Sequence, residues 1–310
     1  MKKYGFGVDV GGTTIKIGLF DMSGVVMKTF EIKTVTDNGG SEILDDIAAA
    51  IMTELYEEGI SKVDVEGIGL GVPGPVGPDG TVYGCVNLGW GTFNVESALY
   101  IKTGIPVKAG NDANVAALGE MWQGGGKGHK DVVMVTLGTG VGGGIIVNGK
   151  MVAGFHGIGG EMGHMKVNYD ETDICGCGKR GCLEQYASAT GIVRMARKKL
   201  AGELRTTVLN KDALSSKAIF DAAKDGDVVA CELVDELCRI LGRALANIAC
   251  IIDPEVFVIG GGVSRAGETL VEGIRKYYRM YAFSRSEDTK IVLASLGNDA
   301  GMYGCIRMLF

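Results

Sequence analysis

The succession of strand-like and helix-like segments predicts an α/β protein built from two related halves, and three observations carry that expectation. Apolar β-branched runs alternate with amphipathic stretches of helical period along the 310 residues, the pattern of sheets covered by helices. The segment VDVGGTTIKIG at 8–18 sets a Gly/Thr turn between two strand-like runs, and VTLGTGVGGGIIV at 135–147 repeats that arrangement. A chain of this length buries a large core and has room for two domains.

In order, YGFGVDV (4–10), IKIGLFD (15–21) and VVMKTFEI (25–32) read as strands. Ile43, Ile47, Ile51 and Leu55 at four-residue spacing predict a helix over about 41–58. VEGIGLGV (65–72) is a strand that ends in the Pro/Gly loop 73–80, followed by a helix over 94–103 and a strand over 105–110. NDANVAALGEMW then opens a helix, with Asn111 or Asp112 as its N-cap. The second half begins with DVVMVTL (131–137), GTGVGGG and IIVNGK. A mainly helical region follows residue 185. Its longest helix, about 227–252, carries Val234, Leu237, Leu241, Leu245 and Ile248 in one stripe and stops at Asp253-Pro254. A strand (255–260), a glycine turn, a helix (264–282), a strand (290–295) and a helix (300–309) complete the chain. The expected division is a small α/β domain over 1–110, completed by the C-terminal helix at about 298–310, and a large α/β domain over 111–297.

Hydrophobic residues make up 46% and charged residues 22%, the composition of a globular protein. The net charge of −6 without a Lys/Arg cluster argues against nucleic acid and anionic membrane as partners. No stretch stays apolar for the roughly 18 residues that a membrane span needs. The opening MKKYGFGVDVGG is broken by Asp9 and glycines and does not read as a signal peptide, so a cytoplasmic location is expected. Of eight Cys, Cys85, Cys231, Cys238, Cys250 and Cys305 are scattered in apolar sequence and read as small core residues. Cys175, Cys177 and Cys182 cluster and need a chemical account. The 51 Gly concentrate in turns between strands, where a backbone approaches something closely.

Residues 138–143, GTGVGG, satisfy G-x-G-x-x-G, but a dinucleotide fingerprint leads into a helix and this turn leads into the strand-like IIV. No G-x-x-x-x-G-K-[ST] occurs. Two readings of the paired turns stay open. In one, backbone N–H groups with the hydroxyls of Thr13, Thr14 and Thr139 cradle phosphates, and Asp9 at its strand end helps to hold Mg²⁺. In the other, glycine only supplies the positive φ of tight hairpins. The GGG at 260–262 after another strand favours the first. Asn111-Asp112 is likewise open: a plain helix cap, or a site where Asp112 takes the proton from a hydroxyl nucleophile.

Taken together, DVGGTTIK (9–16), GVPGPV (71–76), NDAN (111–114), LGTGVGGG (137–144), GGEMGH (159–164), CGCGKRGCLEQYAS (175–188) and GGGVS (260–264) resemble the ROK family of bacterial sugar kinases and repressors. The resemblance spans essentially the whole chain and is strongest to the family's ATP-dependent glucokinases of Gram-positive type. It implies a two-domain actin-like or hexokinase-like ATPase fold with a cleft between domains, and phosphorylation of the 6-hydroxyl of glucose by ATP with Mg²⁺. It implies Asp112 as the catalytic base. Asn111, Glu161, His164 and Glu184 would bind the sugar hydroxyls, with Asn87 and the 73–76 loop as extra contacts. Gly11, Gly12, Thr13, Thr14, Gly138, Thr139 and Gly140 would hold phosphate, and Gly260, Gly261 and Gly262 would lie near adenosine. A homodimer is implied as well. Repressors of the family carry a DNA-binding segment before the first turn. Here that turn starts at residue 9, which favours the kinase reading.

The resemblance also implies structural zinc on His164, Cys175, Cys177 and Cys182. Their spacing, H-x10-C-x-C-x4-C, supplies four ligands of the types that suit tetrahedral zinc, and a filled set leaves no position for a reacting water. The redox C-x-x-C is absent. Metal on one imidazole nitrogen would leave the other as an N–H donor. Glu161, three residues before His164, and Glu184, two after Cys182, would be set beside that ring. His129 and His156 carry no such pattern. The rival expectations are a kinase for fructose, mannose, N-acetylmannosamine or N-acetylglucosamine, a sugar-responsive regulator without turnover, and a plain ATPase.

Overall fold

A computed structural model describes residues 2–310. The chain divides into two compact units: residues up to Lys130 with Gly144–Gly160 and Ser295–Phe310, and Asp131–Gly143 with Glu161–Ala294. Among the described residues no helix is long and apolar enough to cross a membrane.

In the first unit β1 (Tyr4–Val10) pairs antiparallel with β2 (Thr14–Asp21), which pairs antiparallel with β3 (Val26–Lys33). On its other side β1 runs parallel to β4 (Val65–Val72), and β4 runs parallel to β7 (Val107–Asn111). The connecting elements are α1 (Asp37–Gly40), α2 (Ile43–Glu57), the hairpin β5 (Thr81–Cys85) and β6 (Trp90–Asn94), and α3 (Val95–Thr103). The unit is completed by α4 (Asp112–Gln123) and α10 (Ala300–Arg307).

The pleat decides which element covers which face. Phe6, Val8 and Val10 of β1, and Ile68, Leu70 and Val72 of β4, join Ile43, Ile47, Ile51 and Leu55 of α2 in one core. The alternate positions are glycines, and they meet α10. A Cβ on Gly7 would overlap the Met302 carbonyl, and one on Gly69 the Cys305 carbonyl, so the helix backbone lies against the strands. Gly119 of α4 and Gly304 of α10 let those two helices touch in the same way, against Ala300 and Val115.

That helix contact corrects the expected break near residue 110: α4 belongs with α10, and the first unit continues to Lys130. The β5/β6 hairpin is an addition, because its short Gly-containing strands lie between the Pro/Gly loop 73–80 and the next helix, where no element was expected.

In the second unit β8 (Val132–Leu137), β11 (Val256–Gly260) and β12 (Lys290–Leu293) are parallel. On the other side of β8 lies β9 (Val141–Val147), whose last residues continue into the first unit and pair with β10 (Lys150–Met151). The orders β3-β2-β1-β4-β7 and β10-β9-β8-β11-β12 match, the repeat anticipated from the two Gly/Thr turns. Helices α5 (Glu184–Ala187), α6 (Ala189–Gly202), α7 (Ser216–Lys224), α8 (Val228–Ile252) and α9 (Glu268–Tyr281) follow. The α8 stripe Val234, Leu237, Leu241, Leu245 and Ile248 is buried as expected. Asp227 caps this helix by accepting from the Ala230 N–H, and Asp253, left-handed at φ 51°, stops it before Pro254. The helix expected from 264 begins at 268, after a 3₁₀ turn at Gly262–Ala266.

Candidate functional site

Ligands of open parallel sheets gather at the carboxyl ends of the strands, and both units place their candidate residues there. In the first, β1, β4 and β7 end together, with Asp9 opposite Gly71, Gly71 opposite Gly110, and Val72 opposite Asn111. Asp9 lies on the glycine face of β1, in the space left by the missing side chain of Gly301 at the start of α10. Burial, and then the negative charge of Asp112, raise its pKa from 3.8 to about 6, against the opposing pull of Lys16.

Asn111 takes the cap of α4: its side chain accepts from the Asn114 N–H at 3.2 Å and donates to the Gly74 carbonyl at 3.2 Å. The capping function thus falls to Asn111, while Oδ1 of Asp112 accepts from the Ala113 N–H at 2.7 Å. The turn after β1 is closed by Gly11 N–H donating to the Thr14 carbonyl at 3.0 Å and by the Thr34 hydroxyl donating to the Gly11 carbonyl at 2.7 Å. Gly12 and Thr13 are exposed, and the position of a Gly12 Cβ is open space. Asn87 is exposed in the 3₁₀ turn Val86–Leu88, and no hydrogen bond joins it to Asn111.

The second unit holds an open hollow of about 340 Å³ lined by Gly138, Gly140, Glu161, His164, Glu184 and Gly261, together with Thr136. Six of these seven were expected, and the hollow brings the sugar-type and phosphate-type residues together. Thr139, Gly260 and Gly262 do not line it. His164 sits between two carboxylates, Nε2 at 3.9 Å from Glu161 Oε2 and Nδ1 at 3.7 Å from Glu184 Oε1. A Cβ on Gly140 would lie 2.6 Å from Glu184 Oε2, so the carboxylate occupies the space that this glycine leaves. Gly261, at φ 82°, packs on the Leu137 backbone, which ties the third glycine turn to the second.

Beside the hollow, one ligand atom from each of His164, Cys175, Cys177 and Cys182 falls within 4.8 Å of all the others. Cys177 Sγ and Cys182 Sγ are 3.7 Å apart, close to the edge of about 3.8 Å that tetrahedral Zn–S bonds of about 2.3 Å require. Nδ1 is the imidazole atom turned to Cys175, at 3.9 Å, which leaves Nε2 on the Glu161 side. The donor set and spacing fit zinc.

A second brace holds the same loop. Arg194 donates to Asp173 Oδ2 at 2.7 Å and to the Gln185 carbonyl at 3.1 and 3.0 Å, and pairs with Glu171 at 2.9 Å. Burial pushes the Glu171 carboxyl up, but Arg194, Tyr186 and Lys198 outweigh it and hold the group well below the usual carboxylate range.

Three residues were not singled out from sequence. Thr136 lines the hollow opposite Gly260 of the neighbouring strand, a position that only the β8–β11 register discloses. The Ser188 hydroxyl donates to the Glu184 carbonyl at 2.6 Å, and the Thr190 hydroxyl to the Thr139 carbonyl at 2.7 Å. With the Ala189 N–H donating to the Gly138 carbonyl at 2.8 Å, they join the end of α5 to the 138–140 turn. Ser188 also caps α6 by accepting from the Gly191 N–H, a position whose residue type carries a signal although its Glu184 partner carries none.

The profile of the ROK family matches residues 5–309. The glucokinase of Halalkalibacterium halodurans is 44% identical over 304 residues, covering 96% of this chain and 92% of the relative. A crystal structure of a ROK family glucokinase from Streptomyces griseus in complex with glucose and AMPPNP is similar with a TM-score of 0.75 and 37% identity, covering 98% of each chain. The ROK hexokinase from Thermus thermophilus gives a TM-score of 0.83 at 32% identity over 98% of this chain and 97% of its own. The fold is therefore the α/β actin-like ATPase fold expected from the sequence. On the matched profile, the identities and the shared fold, the chain belongs to the ROK family.

Proposed function

We propose that this protein transfers the γ-phosphoryl group of ATP to the 6-hydroxyl of glucose. The observation that carries this reading is the hollow in which Glu161, His164 and Glu184 face the 138–140 turn. Two carboxylates and an imidazole suit a polyol, a Gly/Thr turn suits phosphate, and phosphoryl transfer needs both to be held. The relatives named above, glucokinases and a hexokinase, support the same choice of substrate class.

In this mechanism Asp112 accepts the proton of the 6-hydroxyl as its oxygen bonds to the γ-phosphorus and the bond to the leaving ADP oxygen breaks. Asn111 fixes the start of α4, and with it the Asp112 backbone. Glu161, His164 and Glu184 accept from and donate to the ring hydroxyls. The N–H groups of the 11–14 and 138–140 turns take up negative charge on the phosphates. The 260–262 turn serves the nucleotide. Asp9 would hold Mg²⁺, and that ion supplies charge neutralisation on the phosphates. Zinc on His164, Cys175, Cys177 and Cys182 would be structural and supply rigidity to the loop that carries Glu161 and Glu184. A homodimer in the cytoplasm belongs to the same reading.

A panel of glucose, fructose, mannose, N-acetylmannosamine and N-acetylglucosamine in a coupled ADP assay tests it. Glucose is expected to give the highest kcat/KM. ADP release that is independent of sugar would instead indicate a plain ATPase, and sugar binding without ADP release a regulator.

A further inference from the structure

From a cavity in the first unit that shares Asn111 and Val76 with the roles above but whose charged wall none of them uses, we infer that the protein carries a second small-molecule site, selective for a phosphorylated sugar. The cavity holds about 360 Å³, within the range of about 300–1,000 Å³ typical of ligand pockets. Its wall carries three cationic side chains, Lys108, Lys150 and Arg307, and one acidic side chain, Glu96, beside the last residue, Phe310.

The acid is already engaged. Glu96 Oε1 accepts from the Ala109 N–H at 2.9 Å, and Oε2 lies 3.8 Å from Lys108 Nζ. Neither Lys150 nor Arg307 forms a salt bridge with a carboxylate side chain among the described residues. The Arg307 guanidinium instead lies over the rings of Trp122 and Phe310, 5.9 Å from each centroid, which holds its plane while leaving its N–H groups to an incoming acceptor. Cationic side chains thus outnumber the one acidic side chain on this wall, and an anion fits it.

A second, independent feature adds a hydroxyl donor to the ligand's description. Asn114 lines the same cavity and is 3% exposed. Its amide N–H groups are committed to the Gly159 carbonyl at 3.1 Å and Asn111 Oδ1 at 3.4 Å, which fixes the direction of the side chain. Its Oδ1 is buried without a donor. A buried unmade acceptor costs about 1–3 kcal/mol, and a ligand hydroxyl would satisfy it. Met151 and Met308 supply an apolar wall for the carbon skeleton. An anion with hydroxyl groups and a short carbon chain is a sugar phosphate.

The site also has a route to the chemistry, since Asn114 bonds Asn111, the cap of the helix that begins with Asp112. A ligand that pulls on Asn114 would shift that cap.

Isothermal titration of the whole protein with glucose 6-phosphate, in saturating glucose to occupy the sugar site, tests the inference. One equivalent is expected to bind. Inorganic phosphate, which lacks the skeleton, should bind at least ten-fold more weakly. K150Q, an exposed change, and R307Q should each weaken binding ten-fold or more, and K150Q should leave glucose-dependent ADP release without added sugar phosphate unchanged. Absence of saturable binding, equal affinity for inorganic phosphate, or undiminished binding in both variants would overturn it. The readout is binding, so a failure of the kinase reading, seen as absent ADP release in the unmodified protein, is recognised separately.

Discussion

The most consequential single group in the first unit after Asp112 is Asp9, because its environment works against its charge. Its pKa rises from 3.8 to about 6, so the folded protein binds this proton more tightly than the unfolded chain does. For a carboxyl shifted upward the sign is destabilising: ionised Asp9 opposes folding above pH 6, and the penalty fades as pH falls toward 4. The full shift corresponds to at most about 3 kcal/mol. Without Mg²⁺ or nucleotide, Asp9→Asn should therefore raise Tm by several degrees at pH 7.5, with the gap closing toward pH 4.5, while turnover is lost. An unchanged or lowered Tm at pH 7.5 would show that the group is not strained. Asp9 was legible as the end of a strand before a Gly/Thr turn. Its perturbation was not, because the cause lies in Asp112 and in α10, which are far away in sequence.

Among the elements, the link from α5 to the 138–140 turn would, on the proposed function, make sugar and phosphate recognition interdependent. Thr190→Val removes the hydroxyl that holds the Thr139 carbonyl. The loss of such a hydrogen bond, about 1 kcal/mol, should raise KM for ATP about five-fold and KM for glucose less, with Thr190→Ser near normal. Gly140→Ala should displace Glu184 and raise KM for glucose about ten-fold, a change that steady-state kinetics on both substrates would separate from simple loss of fold. Close packing of α10 on the sheet rests on a different feature, the alternation of glycines at 5 and 7 and at 67, 69 and 71. Gly69→Ala puts a methyl group into the Cys305 carbonyl, and overpacking of this kind costs about 1–3 kcal/mol, read as a fall in Tm. That alternation stands in the sequence but names no packing partner, and only the contact of α4 with α10 shows that the first unit runs past residue 110. The β5/β6 hairpin escaped for a related reason: Thr81–Cys85 and Trp90–Asn94 are five residues each and interrupted by glycine, too short for a period to show.

For the molecule as a whole, two related halves and the four ligand-type side chains were legible because each is signalled by residue types at close spacing, whereas the set that lines the hollow was expected only from the family resemblance. The sequence did not disclose Thr136, which reaches the hollow only through strand register. The loop that joins His164, Cys175, Cys177 and Cys182 to Glu184 is held by the Glu171–Arg194 clamp, and on the proposed reading also by zinc on those four residues. The purified protein should contain one equivalent of zinc by elemental analysis. Chelation should lower Tm and raise KM for glucose, yet leave the chain folded through the clamp. A zinc-free protein with normal kinetics would separate the cluster from function. The central claim is that Asp112 takes the proton from the sugar, and the most direct measurement is glucose-dependent ADP release by Asp112→Asn alongside glucose binding by calorimetry. The account predicts a loss of kcat of about 10²–10⁴-fold or more, with the Kd for glucose within about three-fold of the unmodified protein. Near-normal kcat in that variant would contradict it.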